Sequence, residues 1–331
     1  MDEFKLIQYI CEQQDKIQLK HNNKNKINIP IGDDAASISI PNDSECIIST
    51  DTLNSGIHFF ADSEACDIAH KALAVNLSDL SAMGATPAWY TLNLTIPSLN
   101  QSWIKSFCNG LFKLAKKYNT TLIGGDITKG PLSITITAIG HTPNNQAIKR
   151  SGAKPGDFIY ISDTIGESGY ILDQIYNKKY TQDNYKNLLK KLNSPNPQVV
   201  LGEKLRNIAS SCIDISDGLA ADLSHILNKS NVSATLYQDK IPISNILKQI
   251  PKKEALTHIL YGGDDYQLCF TSPADYVNKI QDLEEYLNQK IYKIGEICEI
   301  VNINNPSNQP EIFLNTNKNI NKINTQGFKH F

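Results

Sequence analysis

The chain has 331 residues, of which 40% are hydrophobic and 20% charged, with 32 Lys and Arg against 34 Asp and Glu and a formal net charge of −2. At roughly 150 residues per domain this length predicts two domains with a sizeable core, and the composition excludes a chain disordered throughout. The balanced charge offers no broad positive surface for nucleic acid or an anionic membrane, and seven cysteines, never spaced C-x-x-C, exclude a disulfide framework or zinc knuckle.

The N-terminus places acidic residues before a helical stripe of Phe4, Leu6, Ile7, Ile10 and Cys11. It lacks the basic-then-apolar order of a signal peptide, and no run reaches the roughly 18 apolar residues of a membrane span, so a cytoplasmic protein is expected. A Lys/Asn-rich loop is predicted over 16–28. Strands follow over 46–51, over 89–96, where Tyr90, Leu92, Leu94 and Ile96 alternate with polar residues, and over 132–139. Helices are predicted over 63–83, with Ser63 as N-cap and Gly84 as terminator, and over 102–118. The polar stretch 141–149 divides a domain of residues 1–145 from one of residues 146–331. In the second, strands are expected over 157–162, 212–215, 234–237, 267–271 and 291–297, with helices between them. The Asn-rich stretch 301–324 reads as loops or an edge strand. The fold class is α/β (α+β), mixed sheets packed with helices.

Three segments, IPIGDD (29–34), LIGGD (122–126) and YGGDD (261–265), each bring an apolar stretch to glycine and then Asp. Each reads as a sharp turn that exposes carboxylates at the tip of an element. Asp51 ends a strand. Asp79 lies three positions after Asn76 on an apolar helix, where an acid is costly unless it is paired or binds a cation; the alternative is a solvated face or a bond to Ser78 or the backbone. In IDISDGL (213–219) a strand runs into a helix, so residues 216–218 would offer unpaired N–H groups to a phosphate, with Asp217 either an N-cap or a functional acid. Converging carboxylates repel one another unless cations join them, and hard oxygen donors of this kind suit Mg²⁺ bound to phosphates. The chain has no Walker A loop, no protein-kinase signature and no G-x-G-x-x-G fingerprint. His58 reads as an ordinary core or surface histidine unless the fold brings it beside Asp51.

The segments IGDDAA, STDTLNSGIHF, HKALAVNLSDLSAMGATPAW, LIGGDITKGPLSITI, RSGAKPGDFIYIS, IDISDGLAADLSHI and YGGDDYQLCF run in the order of one known family. The chain resembles the thiamine-monophosphate kinases, of the aminoimidazole-ribonucleotide-synthetase-like superfamily, over almost its full length. The resemblance implies a two-domain fold, ATP-dependent phosphorylation of thiamine monophosphate to thiamine diphosphate with several Mg²⁺ ions, and a homodimer joined through N-terminal domains. It further implies that residues 1–145 bind ATP and Mg²⁺ and dimerise, while residues 146–331 complete the nucleotide and substrate site. Carried over by position, Asp34, Ser49, Thr50, Asp51, Asp79, Asp126, Asp214 and Asp217 match the metal-binding set. Tyr118, Gly125, Arg150 and Ser216 match ATP contacts, and His58, Asp264 and Phe328 substrate contacts.

Two positions depart from the family pattern. Asp264 stands where the family usually has Glu, one methylene longer, and Phe328 where it has Trp or Tyr, which keeps ring stacking and loses the polar tip. The acceptor is itself an ionised phosphate, so no general base is expected; alignment and charge neutralisation by Mg²⁺ and Arg150 carry the reaction. The competing readings are another ATP-dependent synthetase of the superfamily and a non-catalytic metal-nucleotide sensor.

Overall fold

The structure, a computed structural model, describes residues 3–18, 25–300 and 309–325. Phe328 lies outside the described residues. In chain order the elements begin with α1 (Glu3–Gln18), β1 (Lys26–Ile29), β2 (Ser37–Ser39), β3 (Ser44–Asn54), α2 (Ala65–Ala82), β4 (Thr86–Ile96), α3 (Gln101–Lys117), β5 (Thr121–Lys129) and β6 (Ser133–Pro143). There follow β7 (Phe158–Ser162), α4 (Glu167–Tyr176), α5 (Gln182–Leu192), α6 (Val199–Lys204), β8 (Ser211–Asp214), α7 (Leu219–Ser230) and β9 (Ser233–Tyr237). The last are α8 (Lys252–Tyr261), β10 (Leu268–Ser272), α9 (Val277–Leu287), β11 (Ile291–Cys298), β12 (Ile312–Asn315) and β13 (Ile320–Lys322). The chain divides into two compact units. One gathers Met1–Leu80, Ala85–Asn145 and Gln182–Val199, the other Ser81–Gly84, Gln146–Thr181 and Val200–Phe331.

In the first unit β3, β6, β4 and β5 form a sheet in that order, antiparallel except for the β4–β5 pair. The period-2 pattern of β4 places Tyr90, Leu92 and Leu94 opposite Ala138, Ile136 and Ile134 of β6, all buried on one face. That face meets α2, whose Leu73, Leu77 and Leu80 are almost fully buried, each contributing about 2 kcal/mol by leaving water. The end of α2 obeys the sequence reading. Gly84 adopts φ +65°, its N–H bonds the Ser81 carbonyl and the Ala85 N–H bonds that of Leu80, the paired arrangement of a Schellman terminus. The start does not. Ser63 is no N-cap: the Asp67 and Ile68 N–H groups bond the Glu64 carbonyl, and the Ser63 hydroxyl instead accepts from Asn193 Nδ2 at 3.0 Å.

Edge strand β5 is covered by α1. Gln14, buried in line with Leu6 and Ile10, accepts from the Leu122 N–H at 2.8 Å and donates to the Leu122 carbonyl at 2.6 Å, pairing one residue of the edge as a neighbouring strand would. On the far face, Ile27 and Ile38 of the β1–β2 hairpin pack with Trp89, Ile123 and Ile139.

The second unit is built on a seven-stranded sheet in the order β13-β12-β9-β11-β7-β10-β8, antiparallel except for β12 beside β9. Both faces are covered, so β7 is hydrophobic at successive positions. Ile159 and Ile161 join the core with Leu219, Leu223 and Leu260, while Tyr160 faces Leu205 and Ile280 and stacks on its cross-strand partner Phe270 at 5.2 Å. The C-terminal stretch expected as loops or an edge strand holds two strands, β12 and the edge strand β13. Among the described residues no helix is long and apolar enough to cross a membrane.

Candidate active site

Strand parity and helix periodicity together place four of the polar residues on β3 and α2. Ser49 and Asp51 are two apart on β3 and share its helix-covered face; Asn76 and Asp79 are three apart on α2 and share a turn. The Ser49 hydroxyl donates to the Asp79 carboxylate, and the Asp51 N–H donates to Asn76 Oδ1 at 3.1 Å. Asn76 is oriented in turn by its Nδ2 bond to the Ala72 carbonyl at 3.0 Å. The partner of Asp79 is thus a long-range hydroxyl on β3, and Ser78, a candidate from the sequence, has a buried hydroxyl without a hydrogen-bond partner.

Asp126 lies elsewhere on the sheet. The cross-strand register runs Thr52, Thr135, Asn93, Asp126, and one step along it runs Thr50, Thr137, Thr91, Gly124. Asp126 and Thr50 therefore share the face opposite Ser49 and Asp51, with Asp126 on the far edge strand. Residues 122–126 are not a turn, as the sequence reading had them. They form the middle of β5, where the register slips between Tyr90 and Thr91 so that Ile123 is the extra residue of a bulge. Gly125 is needed there because its φ is +149° and a Cβ would lie 1.8 Å from the Leu92 carbonyl oxygen. The expected tip does hold at Gly32-Asp33-Asp34, exposed, with φ +127° at Gly32 and the Asp34 N–H on Asp33 Oδ1 at 2.9 Å.

His58 sits in a tight turn after β3. Its N–H bonds the Asn54 carbonyl at 3.0 Å, its Nδ1 accepts from the Asn54 N–H at 3.0 Å, and its carbonyl accepts from Lys71 Nζ at 2.9 Å. Because Nδ1 is an acceptor, the neutral imidazole carries its proton on Nε2. Lys71, 2% exposed, was not singled out from sequence, although a lysine on so apolar a helix face was the available signal. Tyr118, at the C-cap of α3, donates its hydroxyl to the Pro197 carbonyl at 2.9 Å and lies 3.2 Å from Asn196 Oδ1.

In the second unit Asp214 ends β8, 5% exposed, and Ser216, Asp217 and Gly218 lead into α7. The amides of Ser216 and Asp217 are not open to a phosphate. Both donate at 3.0 Å to Asp222 Oδ2, one turn into the helix. Asp217 is not the N-cap either; that position is Gly218, with φ +110° and no side-chain cap bond. Burial, above all, pushes Asp222 up to about 7, with Asp214 and Asp217 adding repulsion and the two N–H donors opposing. Asp222 escaped the sequence reading because its neighbours outshone it.

The segment after α8 lies against this loop. The Asp264 N–H bonds the Ser216 carbonyl and the Tyr266 N–H the Ile215 carbonyl, each at 2.8 Å, and the Tyr266 hydroxyl donates to Asp264 Oδ1 at 2.9 Å. Asp264 holds φ +66°. Asp265 points the other way, accepting from the Gly166 N–H at 2.6 Å at the start of α4. Desolvation pushes Asp265 up to about 7 against the bonds from Gly166 and Ser168, with Asp264 and Glu167 adding like charge. Arg150 is exposed on the segment entering the second unit. Among the described residues, no three His, Cys, Asp or Glu side chains are gathered as a ready metal cage.

Two mixed α/β units, an exposed Gly-Asp turn at residues 32–34 and hard oxygen donors along β3 and α2 define a protein of the AIR-synthase-like class. Family models described as AIR synthase related protein, N-terminal domain and C-terminal domain, match residues 32–142 and 154–301. The chain is 40% identical to the thiamine-monophosphate kinase of Haemophilus influenzae strain Rd, covering 100% of this chain and 98% of that one. It superposes on the crystal structure of thiamine-monophosphate kinase from Stenotrophomonas maltophilia K279a with a TM-score of 0.83 at 39% identity, covering 94% of this chain and 96% of the other. AaThiL complexed with AMPPCP and TMP gives a TM-score of 0.74 at 28% identity over 99% and 97% of the two chains. The chain belongs to the thiamine-monophosphate kinase family.

Proposed function

We propose that this protein transfers the γ-phosphoryl group of ATP to thiamine monophosphate, forming thiamine diphosphate in thiamine diphosphate biosynthesis. The carrying observation is the oxygen array of Ser49, Asp51, Asn76 and Asp79, bonded between β3 and α2, in a chain 40% identical to a thiamine-monophosphate kinase along its full length. The complex of AaThiL with AMPPCP and TMP supports a site that takes an ATP analogue and thiamine monophosphate together.

Carboxylate and hydroxyl oxygens with no cysteine or histidine among them fit Mg²⁺ better than a softer ion. Asp34, Ser49, Thr50, Asp51, Asp79 and Asp126 of the first unit, and Asp214 and Asp217 of the second, are the residues that would hold several such ions. When bound, Mg²⁺ supplies charge neutralisation to the phosphates. Arg150 and the Ser216 hydroxyl hold the ATP phosphates, and Gly125 and Tyr118 contact the nucleotide. His58 donates from Nε2 to thiamine monophosphate, Asp264 contacts it in place of the longer Glu, and Phe328 stacks on its ring. No residue acts as general base, because the attacking oxygen belongs to an ionised phosphate.

The Thr-rich face bearing Thr50, Thr52, Thr135, Thr137 and Asp126, with Ile48 62% exposed beside them, supports a homodimer joined through the first unit. Asp126 on that face would then serve beside donors its own protomer does not bring to it. The setting is cytoplasmic, with neither nucleic acid nor membrane as partner. Pure protein incubated with ATP, Mg²⁺ and thiamine monophosphate should yield thiamine diphosphate by mass; ATP consumption without it would overturn the reading. Light scattering should find the active species dimeric.

A further inference from the structure

A single hydroxyl at the end of α7 holds the backbone beside Arg150. Ser230 Oγ accepts from the Gly152 N–H at 3.1 Å and from the Ala153 N–H at 3.2 Å, and lies 3.4 Å from the Arg150 carbonyl oxygen, to which it donates. The other side of the same segment is held by β8 and the residue before it. The Cys212 N–H bonds the Lys149 carbonyl at 3.0 Å, and Gly152, at φ +121°, passes so close that a Cβ would stand 2.4 Å from the Ser210 carbonyl oxygen. Residues 149–153 are thus fixed on both flanks while the Arg150 side chain stays exposed.

The same helix holds the loop that carries Ser216, the other residue read as an ATP contact in this unit. Asp222, in the first turns of α7, takes the Ser216 and Asp217 amides, and Ser230, eight residues on, takes those of Gly152 and Ala153. At 1.5 Å rise per residue the two anchors are about 12 Å apart along one rigid axis. A guanidinium on a long flexible stem grips a phosphate well only when its backbone is fixed, because a floppy loop must be ordered on binding.

We propose that Ser230 is a positioning residue for ATP: its hydroxyl orders residues 150–153 and so sets where Arg150 meets the nucleotide phosphates. The inference rests on the reading of Arg150 as an ATP contact. Ser230→Ala should raise the KM for ATP about five- to twenty-fold, the scale of one or two lost hydrogen bonds, while the KM for thiamine monophosphate stays within about twofold. Ser230→Thr, which keeps the hydroxyl, should restore the ATP value.

The test measures both KM values for Ser230→Ala, Ser230→Thr, Arg150→Met and the double variant Arg150→Met/Ser230→Ala. The proposal holds if Ser230→Ala weakens ATP use alone, threonine rescues it, and alanine adds nothing further in the Arg150→Met background. It fails, with the Arg150 reading intact, if Arg150→Met raises the ATP KM and Ser230→Ala does not, if both KM values rise together, or if the alanine effect persists undiminished without Arg150. If Arg150→Met leaves the ATP KM unchanged, the Arg150 reading falls first and the proposal with it. Should Ser230→Ala fold poorly, Ser230→Cys, of similar bulk and weak accepting power, is measured in its place against the same outcomes.

Discussion

The Ser49 hydroxyl on β3 is donated to the Asp79 carboxylate on α2, a bond between residues 30 positions apart that ties the strand edge to the helix covering it. Asp79→Asn keeps the shape and an oxygen able to accept from Ser49, and removes only the charge. Turnover should therefore fall at least a hundredfold while the thermal midpoint moves by no more than about 3 °C. Steady-state kinetics across a Mg²⁺ series, with calorimetry on the same samples, checks both halves of the expectation.

Gly125→Ala should be among the most damaging single-methyl additions to the protein. The added carbon would stand 1.8 Å from the Leu92 carbonyl oxygen at a φ of +149°, so β4 and β5 must separate or the bulge must be rebuilt. A loss of about 3 to 5 kcal/mol is expected, on the scale of severe backbone strain and overpacking. Urea denaturation measures it, and a variant within about 1 kcal/mol of the parent would refute the bulge geometry.

His58 offers a test by atom position. Its Nδ1 faces the Asn54 N–H, so the outward donor is Nε2. Glutamine places an amide nitrogen near the Nε2 position and asparagine does not reach it. His58→Gln should keep the KM for thiamine monophosphate within about threefold, and His58→Asn should raise it about tenfold or more, with ATP unaffected in both. Equal KM values for the two variants would show that Nε2 plays no part.

Asp265 makes the metal-free protein sensitive to pH. Its folded carboxyl titrates near 7, chiefly through desolvation, against about 3.9 in an unfolded chain. Between those values the folded state keeps a proton that the unfolded state has lost, so Asp265 lowers stability as pH rises from about 4 through about 7. Asp265→Asn can still accept from Gly166 and should flatten this decline, gaining on the order of 2 to 3 kcal/mol over the parent at pH 8 relative to pH 5. Parallel denaturant titrations at the two pH values decide the matter.

How far the sequence could be read depended on whether a partner was local. The alternation in β4 and the glycine end of α2 were legible because parity and a terminator act within a few residues. Gly124-Gly125-Asp126 was misread because glycine serves two purposes, a reversal of the chain or a close approach to a neighbouring strand, and only the pairing with Leu92 distinguishes them. Ser63 was misplaced for a similar reason, its hydroxyl engaged by Asn193. The residue types of the site stood out as acids in unusual places. The division of Ser49 and Asp51 from Thr50 and Asp126 across two sheet faces needed the register of β4, β5 and β6.

Residues 182–199 come late in the chain yet belong to the first unit. Asn193 bonds Ser63, the Pro195 carbonyl lies 2.8 Å from His70 Nε2, and the Pro197 carbonyl receives the Tyr118 hydroxyl. A gene cut at the codon for residue 145 and expressed as two separate polypeptides would strand this segment on the wrong piece. The N-terminal product would be left with a buried serine, a histidine and a tyrosine lacking their partners, and would regain them only by capturing the segment from its complement. Ribosomal synthesis meets the same constraint in time: the first unit cannot close until residue 199 has left the exit tunnel, well after its own sheet strands have emerged.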